Sequence, residues 1–380
     1  MTKEDTKVTP WEVKGKVNYN KIIKEFGIKP IKNLPDVFNE NLLFRRKIVF
    51  AHRDIQRILE VIKSKKAFVM MTGLMPSGKF HIGHILLVRQ MIFYQELGAK
   101  IYIAIADLEA YNARKKSLKE LKEIAINEYI LNYAALGLDL NKCDLYFQSA
   151  RSNNAEKSNA YYRLASNFSR YVTFNEFKAI YGKDISPEKM NASLLQAADM
   201  AHAQLPEFEG GPIPVLIPVG IDQDPHLRLA RDIVNRYKDN KMIQLSSTYH
   251  LFLPGLKDGK MSSSDVNSYI ALTDSPEEVK NKINKYAFSG GRNTIEEHRK
   301  YGGDPDVDVS FLYLKYLFEP DDKKLEQIKK DYQSGKLLSK ELKKILIDKI
   351  NVFLKEHQKK KEEAKKQLEK FLLKDDTKHL

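Results

Sequence analysis

The chain has 380 residues, 42% of them hydrophobic and 30% charged, which is typical of a globular protein with two or three domains. Lysine and arginine number 64 against 50 acidic residues, and the net charge of +14 favours a polyanionic partner, nucleic acid first, although a solvated lysine-rich surface has the same surplus. The single cysteine excludes an intrachain disulfide and a cysteine-rich zinc site, and without a signal peptide or roughly 20 consecutive apolar residues a cytoplasmic protein is expected.

Residues 1–66 are predicted to form an N-terminal extension, because their charged and mixed segments are interrupted by Pro10, Pro30 and Pro35. Isoleucine and leucine recur at helical spacing over residues 55–62, which predicts an amphipathic helix near the end of the extension.

Four apolar runs between residues 67 and 274 predict buried strands, separated by segments with the spacing of amphipathic helices. The runs are AFVMMTG (67–73), KIYIAIADLEA (100–110), DLYFQS (144–149) and PIPVLIPVG (212–220). This alternation predicts an α/β fold whose catalytic domain is a doubly wound, parallel, Rossmann-like sheet covered on both faces. Residues 151–210 are predicted to be a helical insertion in this domain, and residues 275–380 a helical C-terminal domain.

The segment PSGKFHIGH, residues 76–84, follows the first predicted strand and leads into a helix. Gly83 has no Cβ, so a flat ring or a phosphate can approach the backbone there, and the following helix N-terminus favours an anion. His81 and His84 can donate hydrogen bonds to charge that develops on a phosphate. Taken alone, the tetrapeptide HIGH is also explained by a chance match or by a histidine that satisfies a core contact.

The segment KMSSS, residues 260–264, lies in a glycine-rich polar loop after the last predicted strand. Lys260 supplies a mobile positive charge for phosphates, and the following serines add hydrogen-bond donors. Such a loop can close over a triphosphate. A plain surface turn explains the segment equally well in isolation.

HIGH and KMSSS, in this order, resemble the two signature motifs of the class I aminoacyl-tRNA synthetases. Further segments along nearly the whole chain resemble the archaeal and eukaryotic tryptophanyl-tRNA synthetases; they are PWEV, FRRKIVFAHRDI, YVTFNEFKAIYG, GIDQDPHLRLARDI, AFSGGRNTIEEHRKYGGDPDVDVSFLYL and LEQIKKDYQSGKLLSKELK. The resemblance implies activation of L-tryptophan by ATP to tryptophanyl-adenylate and transfer to tRNA(Trp). It also implies Mg²⁺ bound mainly through the ATP phosphates, no metal site on the protein, and a homodimer.

The resemblance further implies which residues handle ATP. The catalytic residues would be His81, His84 and Lys260. The nucleotide-binding residues would be Pro76, Ser77, Gly78, Lys79, Gly83, Gly220, Asp222, Met261, Ser262, Ser263 and Ser264.

For the amino acid, the resemblance implies a pocket formed by Met71, Gly73, Glu109, Gln196, Asp199 and Gln223. Glu109 and Gln196 match positions that hold the substrate ammonium, although Glu109 is also explained as a carboxylate at a helix start. The eukaryotic enzymes bind the indole N–H with a tyrosine and a glutamine, and this chain has Met71 and Ala104 there. Asp199, in a segment that resembles the bacterial tryptophan enzymes, is the candidate acceptor for the indole.

The first alternative is a tyrosyl-tRNA synthetase, since Asp199 could accept a phenol and ADLEAY resembles the archaeal tyrosine enzymes. The others are a nucleotidyltransferase for small metabolites and a non-catalytic RNA-binding paralogue. Met71 is an apolar wall that suits a large indole. By the resemblance, the C-terminal domain would bind the anticodon and the insertion would form a dimer interface. Arg228 and Arg231 could contact tRNA phosphates or form surface salt bridges.

Overall fold

The structure is a computed structural model that describes residues 7–8, 13–14, 19–257, 259, 261 and 265–367. Its strands are β1 (Lys7–Val8), β2 (Val13–Lys14), β3 (Lys29–Pro30), β4 (Val49–Arg53), β5 (Phe68–Leu74), β6 (Ala99–Ile105), β7 (Cys143–Phe147), β8 (Val215–Gly220) and β9 (Ser246–His250). No helix within these residues is long and apolar enough to cross a lipid bilayer.

The helices before β8 include those of the predicted insertion. They are α1 (Tyr19–Glu25), α2 (Asp36–Glu40), α3 (Leu42–Arg45), α4 (Ile55–Lys63), α5 (Ile85–Glu96), α6 (Asp107–Arg114), α7 (Leu118–Ile124), α8 (Leu131–Leu136), α9 (Ala155–Phe168), α10 (Phe174–Tyr181), α11 (Pro187–Ala201) and α12 (Pro206–Glu209). The later helices are α13 (Asp224–Arg236), α14 (Pro276–Tyr286), α15 (Ile295–Tyr301), α16 (Val309–Tyr313), α17 (Asp322–Gln333) and α18 (Ser339–Lys366). Two π-helical turns, Ala125–Ile130 and Leu314–Phe318, adjoin α8 and α16.

Seven strands form one sheet in the order β3-β4-β9-β8-β5-β6-β7. The five strands from β9 to β7 are parallel, whereas β4 and β3 are added antiparallel at one edge. This arrangement confirms the predicted doubly wound α/β sheet. All four predicted strands are present. Strand β9 was not predicted, because its buried residues Ser246, Ser247 and Thr248 are polar and form no apolar run.

The boundary predicted at residue 67 falls between strands that the structure pairs in one sheet. β3 and β4 lie in the predicted N-terminal extension, yet β4 pairs with β9 over most of its length. In sequence, β4 shows only the short apolar stretch IVFA (48–51), and a run of this length does not separate a strand from an irregular segment.

Each face of the sheet is covered by its own set of helices. One core includes α5, α8 and the C-terminal helices, and the other includes α9, α11 and α13. Helix α18 packs against α8, where His357 Nε2 lies 2.7 Å from Asn132 Oδ1 and both side chains are buried. The C-terminal helices therefore share a continuous apolar core with the catalytic sheet.

A buried ion pair joins the insertion to the end of β7. Arg151, which is 1% exposed, donates to both carboxylate oxygens of Asp144 at 3.1 and 2.8 Å and to His202 Nε2 at 2.9 Å. Its guanidinium also lies 4.0 Å from the ring centroid of Tyr146 and 4.6 Å from that of Phe208. His202 in turn bonds the carbonyl oxygen of Ala198 in α11, so the network ties the insertion to the sheet.

Candidate active site

The candidate site lies where the strand order reverses, between the adjacent parallel strands β5 and β8. After β5 the chain enters α5 on one face of the sheet, and after β8 it enters α13 on the other. The two connections diverge and leave a crevice at the carboxyl ends of the strands, which is the place where open α/β sheets bind ligands.

The two histidines of HIGH cap the turn that precedes α5. Ile82–His84 form a 3₁₀ turn, in which the Gly83 amide donates to His81 Nδ1 at 3.2 Å and the His81 amide donates to His84 Nδ1 at 3.1 Å. This reciprocal arrangement is a capping box made of imidazoles. Since Nδ1 of His81 accepts a hydrogen bond, the neutral ring carries its proton on Nε2 and can donate it to a ligand.

Both imidazoles are neutral at physiological pH. Burial lowers the pKa of His84 to about 4, and burial together with the neighbouring His84 lowers the pKa of His81 well below its usual range. Their ring centroids are 3.8 Å apart, a distance at which two cations would repel strongly. The pair can therefore act as neutral hydrogen-bond donors.

Replacing His84 with asparagine is expected to cost less stability at low pH than at neutral pH. Between about pH 6.5 and 4 the unfolded chain binds a proton at His84 that the folded protein does not, so the contribution of the histidine is lost as pH falls through this window. Urea unfolding of both proteins near pH 7.5 and pH 4.5 measures the difference. A penalty that increases toward the lower pH would contradict a neutral buried imidazole.

Met261, the residue of KMSSS that the structure describes, lies beside HIGH. A Cβ atom on Gly83 would lie 2.9 Å from Met261 Sδ and 3.0 Å from the His81 ring, so a side chain here would displace one of these two residues. The chain after the loop is bonded to the same turn, because Ile82 N donates to Ile270 O and Leu272 N to Phe80 O, each at 3.0 Å. The predicted site residues Lys260, Ser262, Ser263 and Ser264 lie outside the described residues.

The PSGK segment lines the approach to the turn. Pro76 is buried, Ser77 and Gly78 are half-buried, and Lys79 is exposed. Glu128 of the π-helical turn before α8 accepts a hydrogen bond from Phe80 N at 3.2 Å, so helices of that face fix the end of the segment.

The GIDQ segment lies at the end of β8, beside β5. A Cβ atom on Gly220 would lie 2.6 Å from Asp222 Oδ1 and 3.1 Å from the Phe252 ring, so a side chain here would displace the Asp222 carboxylate. Asp222 is buried and its Oδ2 accepts from Gln223 Nε2 at 3.2 Å. The carboxylate thus lies just beyond the carboxyl end of β8.

Glu109 and Gln196, which the resemblance assigns to the same substrate ammonium, are in contact. Gln196 Nε2 in α11 donates to Glu109 Oε2 in α6 at 2.9 Å. Burial raises the pKa of Glu109, and a cation beside it would lower that pKa again. The pair therefore suits an ammonium group.

Asp199 lies one turn further along α11, fully enclosed. Its Oδ1 accepts from the phenols of Tyr146 and Tyr161, and its Oδ2 accepts from Gln148 Nε2, all at 2.7 Å. Burial raises the pKa of Asp199 to about 6, against the effect of the three donors. These donors were not predicted, although Tyr146 and Gln148 belong to the predicted strand segment DLYFQS and alternate toward the same face.

The sheet beneath these groups carries small side chains. Gly73 is paired with Ala104 in the register of β5 and β6, and Gly73 is exposed while Ala104 is fully buried. Met71 is buried two residues earlier on the same face of β5. Gly73 and Ala104 leave space between the sheet and α11, and Met71 lies below it on the same strand face.

The two arginines after GIDQDP are accounted for by ion pairs. Arg228 Nε lies 3.1 Å from Asp224 Oδ2, and Arg231 Nη2 lies 2.7 Å from Asp54 Oδ2. Of the two explanations that the sequence allows, the salt bridge is the one that the structure contains.

This site and fold define a class I aminoacyl-tRNA synthetase, and the profile of the family "tRNA synthetases class I (W and Y)" matches residues 63–355. The tryptophan–tRNA ligase of Methanocaldococcus jannaschii is 45% identical over 96% of this chain and 98% of its own. The crystal structure of tryptophanyl-tRNA synthetase from Aeropyrum pernix is 42% identical with a TM-score of 0.87, over 93% of this chain and 96% of that one. The Plasmodium falciparum enzyme is 34% identical with a TM-score of 0.80, over 91% and 94%. The chain belongs to the tryptophanyl-tRNA synthetase family.

Proposed function

We propose that the chain activates L-tryptophan with ATP to form tryptophanyl-adenylate and transfers the acyl group to tRNA(Trp), releasing pyrophosphate and AMP. The observation that carries the proposal is the position of Met261, whose Sδ lies 2.9 Å from where a Cβ atom of Gly83 would be, at the reversal point of the sheet. The full-length likeness to tryptophan–tRNA ligases supports tryptophan as the amino acid.

ATP would lie in the crevice between Gly83 and Gly220. A side chain at Gly83 would displace Met261 or His81, and one at Gly220 would displace Asp222 or Phe252, so both glycines let predicted site residues keep their positions. His81 and His84 would donate to the phosphates as neutral groups, and Lys260 would stabilise the leaving pyrophosphate. Mg²⁺, held mainly by the phosphates themselves, would neutralise part of their charge.

Tryptophan would lie between the sheet and α11. Glu109 and Gln196 would bind its ammonium group, Gln223 would orient it from the nucleotide side, and Met71 would pack against the ring. The carboxylate of the amino acid would then face the α-phosphate at the mouth of the crevice. This arrangement performs the reaction by positioning and charge stabilisation.

The charge surplus and the helical region suit tRNA as the second substrate. The domain predicted at residues 275–380 would bind the anticodon, and its continuous core with the sheet would hold it at a fixed distance from the site. The insertion at residues 151–210 would contribute to a homodimer interface. The protein would act in the cytoplasm.

The test is amino-acid-dependent ATP–pyrophosphate exchange with tryptophan and with tyrosine, on the wild type and on Lys260→Ala. Exchange with tryptophan alone, sharply reduced in the variant, is the expected result. Lys257→Ala is the matched control, because Lys257 lies in the same loop and pairs with Asp265 at 2.8 Å.

Exchange with tyrosine instead of tryptophan would show that the proposed amino acid is wrong, while the proposed activation by ATP would stand. Exchange with neither amino acid would overturn the proposal and favour the nucleotidyltransferase or the RNA-binding paralogue. Binding of tRNA would then separate those two.

A further inference from the structure

Gln148 holds a buried carbonyl oxygen with no hydrogen-bond partner. The side chain is 1% exposed, and Oε1 has no partner within the residues that the structure describes. An unpaired buried amide oxygen costs about 1–3 kcal/mol, and such groups in folded proteins have a reason. One reason is a ligand that supplies the missing donor.

The orientation of the amide is fixed by its neighbour. Asp199 Oδ2 accepts from Gln148 Nε2 at 2.7 Å, and an ionised carboxylate cannot donate, so the amide must turn its nitrogen toward Asp199 and its oxygen away. The other carboxylate oxygen is filled by the phenols of Tyr146 and Tyr161. Asp199 is thus engaged with protein donors, whereas the carbonyl of Gln148 is free to accept.

Gln148 lies on the face that leads to the amino-acid pocket. It directly follows β7, and it shares a face with Tyr146, which is paired in register with Ala104, itself paired with Gly73. This is the face covered by α11. The small residues at Gly73 and Ala104 leave room beside it.

Two polar pairs along α11 suit two different groups of an amino-acid substrate. The Glu109–Gln196 pair and the Gln148–Asp199 pair are anchored three residues apart on one side of the helix, a rise of about 4.5 Å. The first pair offers a carboxylate to a cation. The second offers a single oriented acceptor to a neutral donor deeper in the pocket.

We propose that Gln148 Oε1 accepts the indole N–H of tryptophan, and that Asp199 is a positioning residue that holds the Gln148 amide in this orientation. The inference rests on the proposed function and changes the residue that reads the indole from Asp199 to Gln148. An acceptor alone matches an N–H donor, and a substrate without that donor leaves Oε1 unpaired.

The test compares tryptophan with β-(3-benzothienyl)alanine, in which sulfur replaces the indole N–H. The wild type is expected to prefer tryptophan on the order of 10- to 100-fold in kcat/KM for pyrophosphate exchange. Gln148→Met is expected to lose this preference, mainly by a lower kcat/KM for tryptophan, while kcat/KM for the analogue and the KM for ATP stay unchanged.

Gln90→Met is the matched control, because Gln90 is an equally buried glutamine with an unpartnered Oε1 on the α5 face. It is expected to keep the preference, and urea unfolding shows whether each variant is folded. Should Gln148→Met fail to fold, Gln148→Leu provides the same comparison between tryptophan and the analogue.

A folded Gln148→Met protein that prefers tryptophan as strongly as the wild type would overturn the inference and return the role to Asp199. That outcome leaves the proposed function standing. A wild type that shows no exchange with tryptophan would instead overturn the proposed function itself.

Discussion

Replacing Gly83 with alanine is expected to lower kcat for tryptophan activation on the order of 100-fold. The new methyl group would lie 2.9 Å from Met261 Sδ and 3.0 Å from the His81 ring. The methyl group would displace either Met261 or the His81 ring, whose Nδ1 accepts from the Gly83 amide itself at 3.2 Å. Either shift displaces a group that faces the phosphates.

Pyrophosphate exchange under saturating tryptophan and ATP measures the effect. Gly137→Ala is the control, because Gly137 has a φ of 106° at the end of α8 and its replacement strains the backbone away from the crevice. That control is expected to lose about 1 kcal/mol of stability and little activity. Near wild-type kcat in Gly83→Ala would mean that the Met261 contact is not part of the active arrangement.

Replacing Arg151 with methionine is expected to lower the free energy of unfolding by about 3–5 kcal/mol. The change leaves the Asp144 carboxylate, whose side chain is 9% exposed, without its bidentate partner. It also removes the donor to His202 and the cation between the rings of Tyr146 and Phe208. Methionine fills part of the volume, so the loss reports mainly the uncompensated charge.

Urea unfolding measures this loss against Arg163→Met, in which a side chain that is 60% exposed loses a pair with Glu207. That control is expected to change stability by no more than about 1 kcal/mol. Adding Asp144→Asn to Arg151→Met is expected to recover part of the loss, because the buried charge is then gone. Equal losses in the two single variants would show that the network of Arg151 contributes no more than a surface pair.

The sequence predicted the parts of the site that depend on neighbouring residues. HIGH is a turn between a strand and a helix, and its glycine, histidines and helix N-terminus act within four residues of each other. The resemblance assigned Glu109 and Gln196 to one ammonium group, and the structure places Gln196 Nε2 2.9 Å from Glu109 Oε2. Neither the capping role of the histidines nor the network around Asp199 was predicted, because each depends on which atoms of distant segments meet.

The sequence by itself determined the class of fold, since continuous apolar runs alternating with amphipathic helices require a parallel sheet covered on both faces. It also determined that two glycine-containing motifs follow strands. Only the tertiary structure decided that β8 lies beside β5, that β9 and β4 complete the sheet, and that Met261 lies on Gly83. Buried segments can be recognised from their local composition, because they are rich in apolar residues. Strand pairing and side-chain partners depend on which distant segments pack and hydrogen-bond best, and no local sequence pattern encodes that choice.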